Sequence, residues 1–173
     1  MKYFLNSKRK NKKNLINFIF FYLKYPFLKF GTFLGFQNIE FSAISGESAR
    51  LKIGTGCSTT NTIFNTSSGK ITIGNDTIFG HNCMVLTGRH RFYKGKRAKL
   101  VPNSEHFPET PKDGFDIIIG DGCFIASGVI ILAPVKIGNN VLIAAGSIVN
   151  KDLPDNTFCA GNPARVIKFH EID

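Results

Sequence analysis

The sequence predicts an all-β fold, a parallel β-helix, and three observations carry that prediction. From Ile119 onward, aliphatic residues recur at Ile119, Ile125, Ile131, Ile137, Ile143 and Val149, six in succession at a period of six. Four residues after each comes a second set, Cys123, Val129, Val135, Val141, Ser147 and Leu153, mostly small or β-branched. Gly, Ala or Asn stands directly after all but one of the aliphatic residues, and the corners that follow are small or polar, as in Ile119-Gly120-Asp121-Gly122 and Ile137-Gly138-Asn139-Asn140. Neither a 3.6-residue helix nor an alternating hairpin strand has a period of six. Short strands joined by two-residue corners do, each hexad aiming one aliphatic side chain at the axis, with Gly and Asn at corners that ask for positive φ.

Composition sets the outer bounds. The chain has 173 residues, enough for one domain. A chain of that size buries roughly 70% of its unfolded surface and needs no disulfide or metal to fold. With 43% hydrophobic and 20% charged residues it has the make-up of a globular protein. The cysteines at 57, 83, 123 and 159 form no C-x-x-C pair and have no His at zinc spacing, which argues against a structural zinc site. The net charge of +10 is local: residues 1–30 hold eight basic side chains and no acid, while the rest of the chain carries 14 basic and 12 acidic ones. A basic arm on a nearly neutral body is not the charged face that a duplex reader needs, so nucleic acid is not expected as a partner.

In chain order, residues 1–40 come first as a basic and aromatic segment. The run Leu15 to Leu23 is about half of the ~20 residues needed to span a bilayer. The following Lys24-Tyr25-Pro26-Phe27 offers no small-residue cleavage site, so removal by a signal peptidase is not expected. Two readings of this segment stand: a helix whose aromatic side packs on its own domain or a neighbouring subunit, or a peripheral membrane contact through residues 1–30 on an anionic surface. A cytoplasmic location, including the cytoplasmic face of a membrane, fits both readings and the unpaired cysteines. The repeat then begins weakly at Ile53-Gly54, Thr59 and Asn65, with Cys57 and Ile63 as its second set. It strengthens at Ile73, Phe79 and Val85, with Thr77 and Cys83. After Val85 it stops, resuming only at Ile119. The interrupting segment 88–118 contains Pro102, Pro108 and Pro111, and a loop this long in a regular solenoid is expected to be functional. Its six basic residues within eleven positions (Arg89, Arg91, Lys94, Lys96, Arg97, Lys99) read either as a solvated loop or as a platform for an anionic acceptor or coenzyme phosphates.

This pattern resembles the left-handed β-helix of the hexapeptide-repeat acetyltransferases, a family that includes galactoside, maltose and polysaccharide O-acetyltransferases. The resemblance covers residues 41–168, leaving 1–40 as a short helical segment, one extruded loop at 88–118 and a C-terminal tail at 169–173. It implies triangular coils of three hexads, so that residues 18 apart stack: Ile119, Ile137 and position 155, and likewise Ile125 and Ile143. It places the thiols of Cys57, Cys83 and Cys123 in the small inward set as core groups. It further implies a homotrimer with its active site at the seam between subunits.

The site residues follow from the same resemblance, residue by residue. A catalytic His in galactoside and maltose O-acetyltransferases stands at the spacing that His90 keeps from Ile73-Gly74-Asn75-Asp76, through Gly88-Arg89-His90. An imidazole titrates near neutrality and can take the proton of an attacking hydroxyl. Asn82 and Arg89 are the candidate acceptor contacts, Asn82 also reading as an ordinary corner residue. The closing stretches, Ile143 to Pro154 and Ala160 to Lys168, look like the signature of acetyl-CoA-dependent members. Small residues there leave the backbone open to the thin pantetheine arm, and Arg and Lys meet phosphates. The family's coenzyme contacts fall on Ser127, Ala145, Asn150, Lys151, Arg165 and Lys168, with Asn150 where Thr is common. No metal is expected, because His81, His90 and His106 lack the close His pair of the related zinc-binding carbonic anhydrases. The implied activity is acetyl-CoA-dependent O-acetylation of a carbohydrate, with N-acetylation of an amino sugar or antibiotic, or a non-catalytic oligomerisation scaffold, as alternatives.

Overall fold

The structure is a computed structural model that describes residues 42–93, 95–101 and 110–171. The N-terminal segment, with its helical and membrane readings, lies outside the described residues. Short strands follow the hexads, coil by coil. The first coil holds β1 (Ala43–Ser45) and β2 (Leu51–Ile53); the second β3 (Ile63–Asn65), β4 (Ile71–Ile73) and β5 (Ile78–Phe79). The third begins with β6 (Met84–Leu86), is interrupted by a hairpin of β7 (Phe92–Tyr93) and β8 (Lys96–Arg97), and resumes with β9 (Ile117–Ile119) and β10 (Phe124–Ile125). The fourth holds β11 (Leu132 closing Ile130–Leu132), β12 (Val135–Ile137) and β13 (Leu142–Ile143). The fifth holds β14 (Ile148–Val149) and β15 (Thr157–Gly161), after which β16 (Ala164–Phe169) turns back.

Stacked coils pair in parallel and make three faces. The first face is β1-β3-β6-β11-β14, the second β12-β9-β4-β2, and the third β16-β15-β13-β10-β5, in which only β16 runs antiparallel. Ile119 pairs with Ile137 and Ile125 with Ile143, the spacing of 18 that the repeat implies. Ile125, Ile131, Ile137, Ile143 and Val149 are fully buried, as are Val129 and Val141 of the second set. Burying each such side chain contributes on the order of 1.5–3 kcal/mol, which is why the hexad rhythm dominates the fold.

Along the edge between the second and third faces, side chains take over the pairing. The N–H of Thr55 donates to the Asn75 side chain at 3.0 Å, that of Asp121 to Asn139 at 2.9 Å, and that of Asn139 to Asp155 at 2.7 Å. The column of glycines beside this ladder is set by close approach: a Cβ on Gly120 would stand 2.5 Å from Asn139 Oδ1 and 2.6 Å from the Gly138 carbonyl oxygen.

Three expectations are corrected. Position 155 does not stack beneath Ile137; Leu153 does. The last coil takes a shorter corner after β14, and the Asp152 carboxylate accepts the Lys136 N–H at 2.7 Å in place of a strand carbonyl. In the weak upstream copy, Phe64 points inward and is fully buried, while Ile63 is 41% exposed and Asn65 only half-buried. The corner before β3 is one residue shorter than the corner before β6, and a one-residue slip exchanges the two faces of a strand. Phe64 then meets Phe79 edge-on, ring centroids 6.1 Å apart. Cys57, in the first described coil, is only half-buried, whereas Cys83, Cys123 and Cys159 are buried.

Candidate active site

His90 stands where the chain leaves the third coil, and Thr87, Gly88 and Arg89, with their partners Asn65 and Ser68, fix that departure. The Thr87 hydroxyl donates to the Asn65 carbonyl at 2.8 Å and accepts the Ser68 N–H at 3.1 Å. Gly88 lies against the Asn65 side chain, where a Cβ would come within 2.8 Å of Nδ2. The Arg89 N–H donates to the buried Ser68 hydroxyl at 3.3 Å. Ser68 also receives the returning limb of the loop, its carbonyl accepting the Phe115 N–H at 3.2 Å. The Arg89 guanidinium lies over the Phe115 ring, 5.5 Å from its centroid, joining the two limbs a second time. Farther along, Arg50 donates to the Lys112 carbonyl and to Asp113 Oδ1 at 2.7 Å. His90 itself is exposed, on a segment held from both sides.

Directly beyond His90 the β7–β8 hairpin rises, closed at its base by the Ala98 N–H donating to the Arg91 carbonyl at 2.9 Å. Ala98 is buried, while Arg91, Phe92, Lys96, Arg97 and Lys99 are exposed.

The other candidate residues occupy different places. Asn82, Ser127 and Ala145 line the edge between the third and first faces, in the corners that precede β6, β11 and β14. The Ser127 hydroxyl accepts the His81 N–H at 3.1 Å, tying two successive corners together. Asn82 adopts a φ of +60° and its side-chain oxygen accepts from Asn61 Nδ2 at 2.5 Å, so it serves as a corner residue in a short amide ladder. A Cβ on Gly146 would meet nothing within 4 Å, leaving that corner backbone open to a thin ligand. Asn150 and Lys151 sit after β14, on the same edge as the His90 loop, and both are exposed. Arg165 and Lys168 lie exposed on β16, at the border of the third face, where Arg165 Nη1 donates to the Ala164 carbonyl at 2.8 Å.

Within one chain, then, the structure brings His90, Arg89, Asn150 and Lys151 to one edge and Asn82, Ser127 and Ala145 to another, with the first face between them. The outward residues of that face are apolar in register: Ala43, Ile63, Met84, Ile130 and Ile148 lie side by side. The third face repeats this with Ile78, Phe124, Leu142 and Phe158. The second face shows Lys52, Thr72, Ile118 and Lys136 instead. Parallel strands apolar on both sides are the pattern of a sheet covered on both sides.

The buried thiols are unsuited to attack. Burial pushes the Cys83 and Cys123 thiols above the ordinary range, against the smaller opposing pull of backbone N–H groups, and a thiol held protonated is a poor nucleophile. Among the described residues no three His, Cys, Asp or Glu side chains gather as a metal site; His106 lies outside them.

A parallel β-helix of six-residue steps, broken once by a loop that presents a His, defines the class as a hexapeptide-repeat transferase. Residues 116–151 match the family described as Bacterial transferase hexapeptide (six repeats). The chain is 30% identical to the maltose O-acetyltransferase from Clostridium difficile 630, the likeness covering 76% of this chain and 68% of that one with a TM-score of 0.56. It is 25% identical, over 76% of this chain and 68% of the other, to a hexapeptide-repeat acetyltransferase of Vibrio cholerae O1 biovar eltor solved with acetyl-CoA, with a TM-score of 0.55. Galactoside O-acetyltransferase of Escherichia coli K12 is 37% identical over 98 residues, 57% of this chain and 43% of that protein. The chain belongs to the hexapeptide-repeat acetyltransferase family. It spans about half the length of the curated relatives it matches.

Proposed function

We propose that this protein moves an acetyl group from acetyl-CoA to a hydroxyl of a carbohydrate, in surface-polysaccharide synthesis, by direct transfer with His90 as general base. The observation that carries this reading is the seating of His90: an exposed imidazole on a loop root latched to Asn65 and Ser68, in a fold whose relatives are sugar O-acetyltransferases. In the reaction, an imidazole nitrogen takes the hydroxyl proton as the sugar oxygen attacks the thioester carbonyl carbon. The carbonyl electron pair moves onto oxygen, and backbone N–H groups near Ser127 stabilise the resulting oxyanion. Collapse breaks the carbon–sulfur bond, and the leaving thiolate takes the proton back from the imidazolium. The products are the acetyl ester and free CoA, with His90 neutral again.

Ala145 and Ser127 contact the pantetheine arm in this reading, and Asn150, Lys151, Arg165 and Lys168 the rest of the coenzyme. Asn82 and Arg89 face the acceptor. The separation of His90 from Ser127 by one apolar face supports a homotrimer in which one subunit offers the His and its neighbour the oxyanion contact. Residues 1–30 would hold the enzyme at the cytoplasmic face of a membrane, where a lipid-linked glycan is built.

The test is acetyl transfer followed as CoA thiol release with a panel of oligosaccharides. His90→Ala is expected to lower turnover by about 10²–10⁴ while acetyl-CoA affinity is kept. Near-wild-type turnover in that variant would remove His90 from the mechanism.

A further inference from the structure

The hairpin beside His90 carries a chemistry that the transfer reaction itself does not require. In its pairing, Phe92 lies opposite Arg97 and Tyr93 opposite Lys96. Directly opposed residues share a face, with Cβ atoms about 5 Å apart, so each face of the hairpin sets one aromatic ring beside one cation. Phe92 is 69% exposed and Tyr93 42%. Arg91 and Lys99 flank the pair, both exposed. An aromatic ring this open gains most from a ligand that stacks on it, and a concentration of positive charge raises the local concentration of an anion.

We propose that the β7–β8 hairpin selects an acidic sugar as the acceptor, Phe92 and Tyr93 stacking on pyranose faces while Arg97 and Lys96 pair with ring carboxylates. A carboxylate is bonded straight to a ring carbon, so ring and charge arrive together at the spacing of an opposed aromatic–cation pair. Arg97 offers the fork that matches a carboxylate in two bonds. With two residues per strand the hairpin is too short to track a nucleic-acid backbone. The latching of Arg89 and Phe115 at the loop root keeps the hairpin next to His90, so selection and chemistry share one loop. This inference rests on the acetyltransferase reading for its purpose, though the binding it predicts can be measured without turnover.

The experiment is calorimetric binding of a uronic-acid oligosaccharide and of its carboxyl-reduced counterpart to the full chain, for wild type and for Lys96→Gln/Arg97→Gln. The wild type is expected to prefer the charged form by about tenfold or more, with the preference shrinking as salt rises. In the double variant the ratio of the two affinities collapses towards one. An unchanged ratio in the variant overturns the proposal. So does a loss of acetyl-CoA affinity instead, which would give the cations to the coenzyme phosphates, or tighter binding of anionic vesicles or single-stranded DNA than of the charged glycan. Binding of the acidic glycan with no acetyl transfer would uphold the hairpin's role and sink the transferase reading. Transfer to both oligosaccharides with equal kcat/KM would do the reverse.

Discussion

Thr87 shows how a single buried hydroxyl fixes the root of the loop that carries His90, three residues away. It donates to the Asn65 carbonyl and accepts from the Ser68 N–H, and only 1% of its surface is exposed. Thr87→Val keeps the shape but leaves the Ser68 N–H without its acceptor, a cost of about 1–3 kcal/mol. Equilibrium denaturation is expected to show that loss, and turnover to fall more than acetyl-CoA affinity, because the root of the His90 loop shifts. A variant as stable as wild type would show that the latch contributes nothing. The exit of the chain from the coil at Gly88-Arg89-His90 was legible from the sequence because the run of hexads stops after Val85. Asn65, Ser68 and Arg50 were not, since each acts across 19 to 63 residues of chain and no local pattern announces such a partner. Asn82 reads both as a corner residue and as an acceptor contact; its positive φ and its bond from Asn61 Nδ2 support the corner role, and the acceptor role is left to the activity assay.

At the scale of the strand and corner, the period of six told most of what the coils do from Ile71 onward. Every residue of the strong inward set is buried, because a single geometric repeat serves all five positions from Ile125 to Val149. The reading failed where corners change length: before β3, where Phe64 replaces the expected Asn65, and after β14, where Leu153 replaces position 155. A corner's length is decided by which carbonyl or side chain meets which N–H in the next coil, as Asp152 does for Lys136, and that is tertiary information. The hairpin within the loop was likewise unmarked, its strands being two residues each. The glycine column provides a test of close coil stacking. Gly120→Ala would push a methyl group into Asn139 and the Gly138 carbonyl, and a backbone wall cannot yield cheaply. A loss of roughly 1–3 kcal/mol is expected by thermal or chemical unfolding, and an unaffected midpoint would mean that the coils are looser there than described.

For the β-helix as a whole, the asymmetry of its three faces matters more than any single contact. The first and third faces turn ordered rows of Ile, Met, Leu and Phe outward, and the second turns out Lys52, Thr72, Ile118 and Lys136. The proposed trimer covers the two apolar faces and joins edges that one chain holds apart. Replacing Ile130 and Ile148 together with Lys changes only outward positions, since their neighbours Ile131 and Val149 fill the core. Sedimentation is expected to show that variant as folded monomers with transfer activity lost; monomers that still turn over would place the site within one chain, and a variant that still assembles would remove the first face from the interface.

The most direct measurement is a calorimetric titration of acetyl-CoA into the purified protein. Micromolar binding with close to one site per chain is the predicted result, and it would establish acetyl-CoA as the donor. No detectable binding, in protein shown to be folded and oligomeric, would contradict the transferase reading and leave the β-helix as a scaffold.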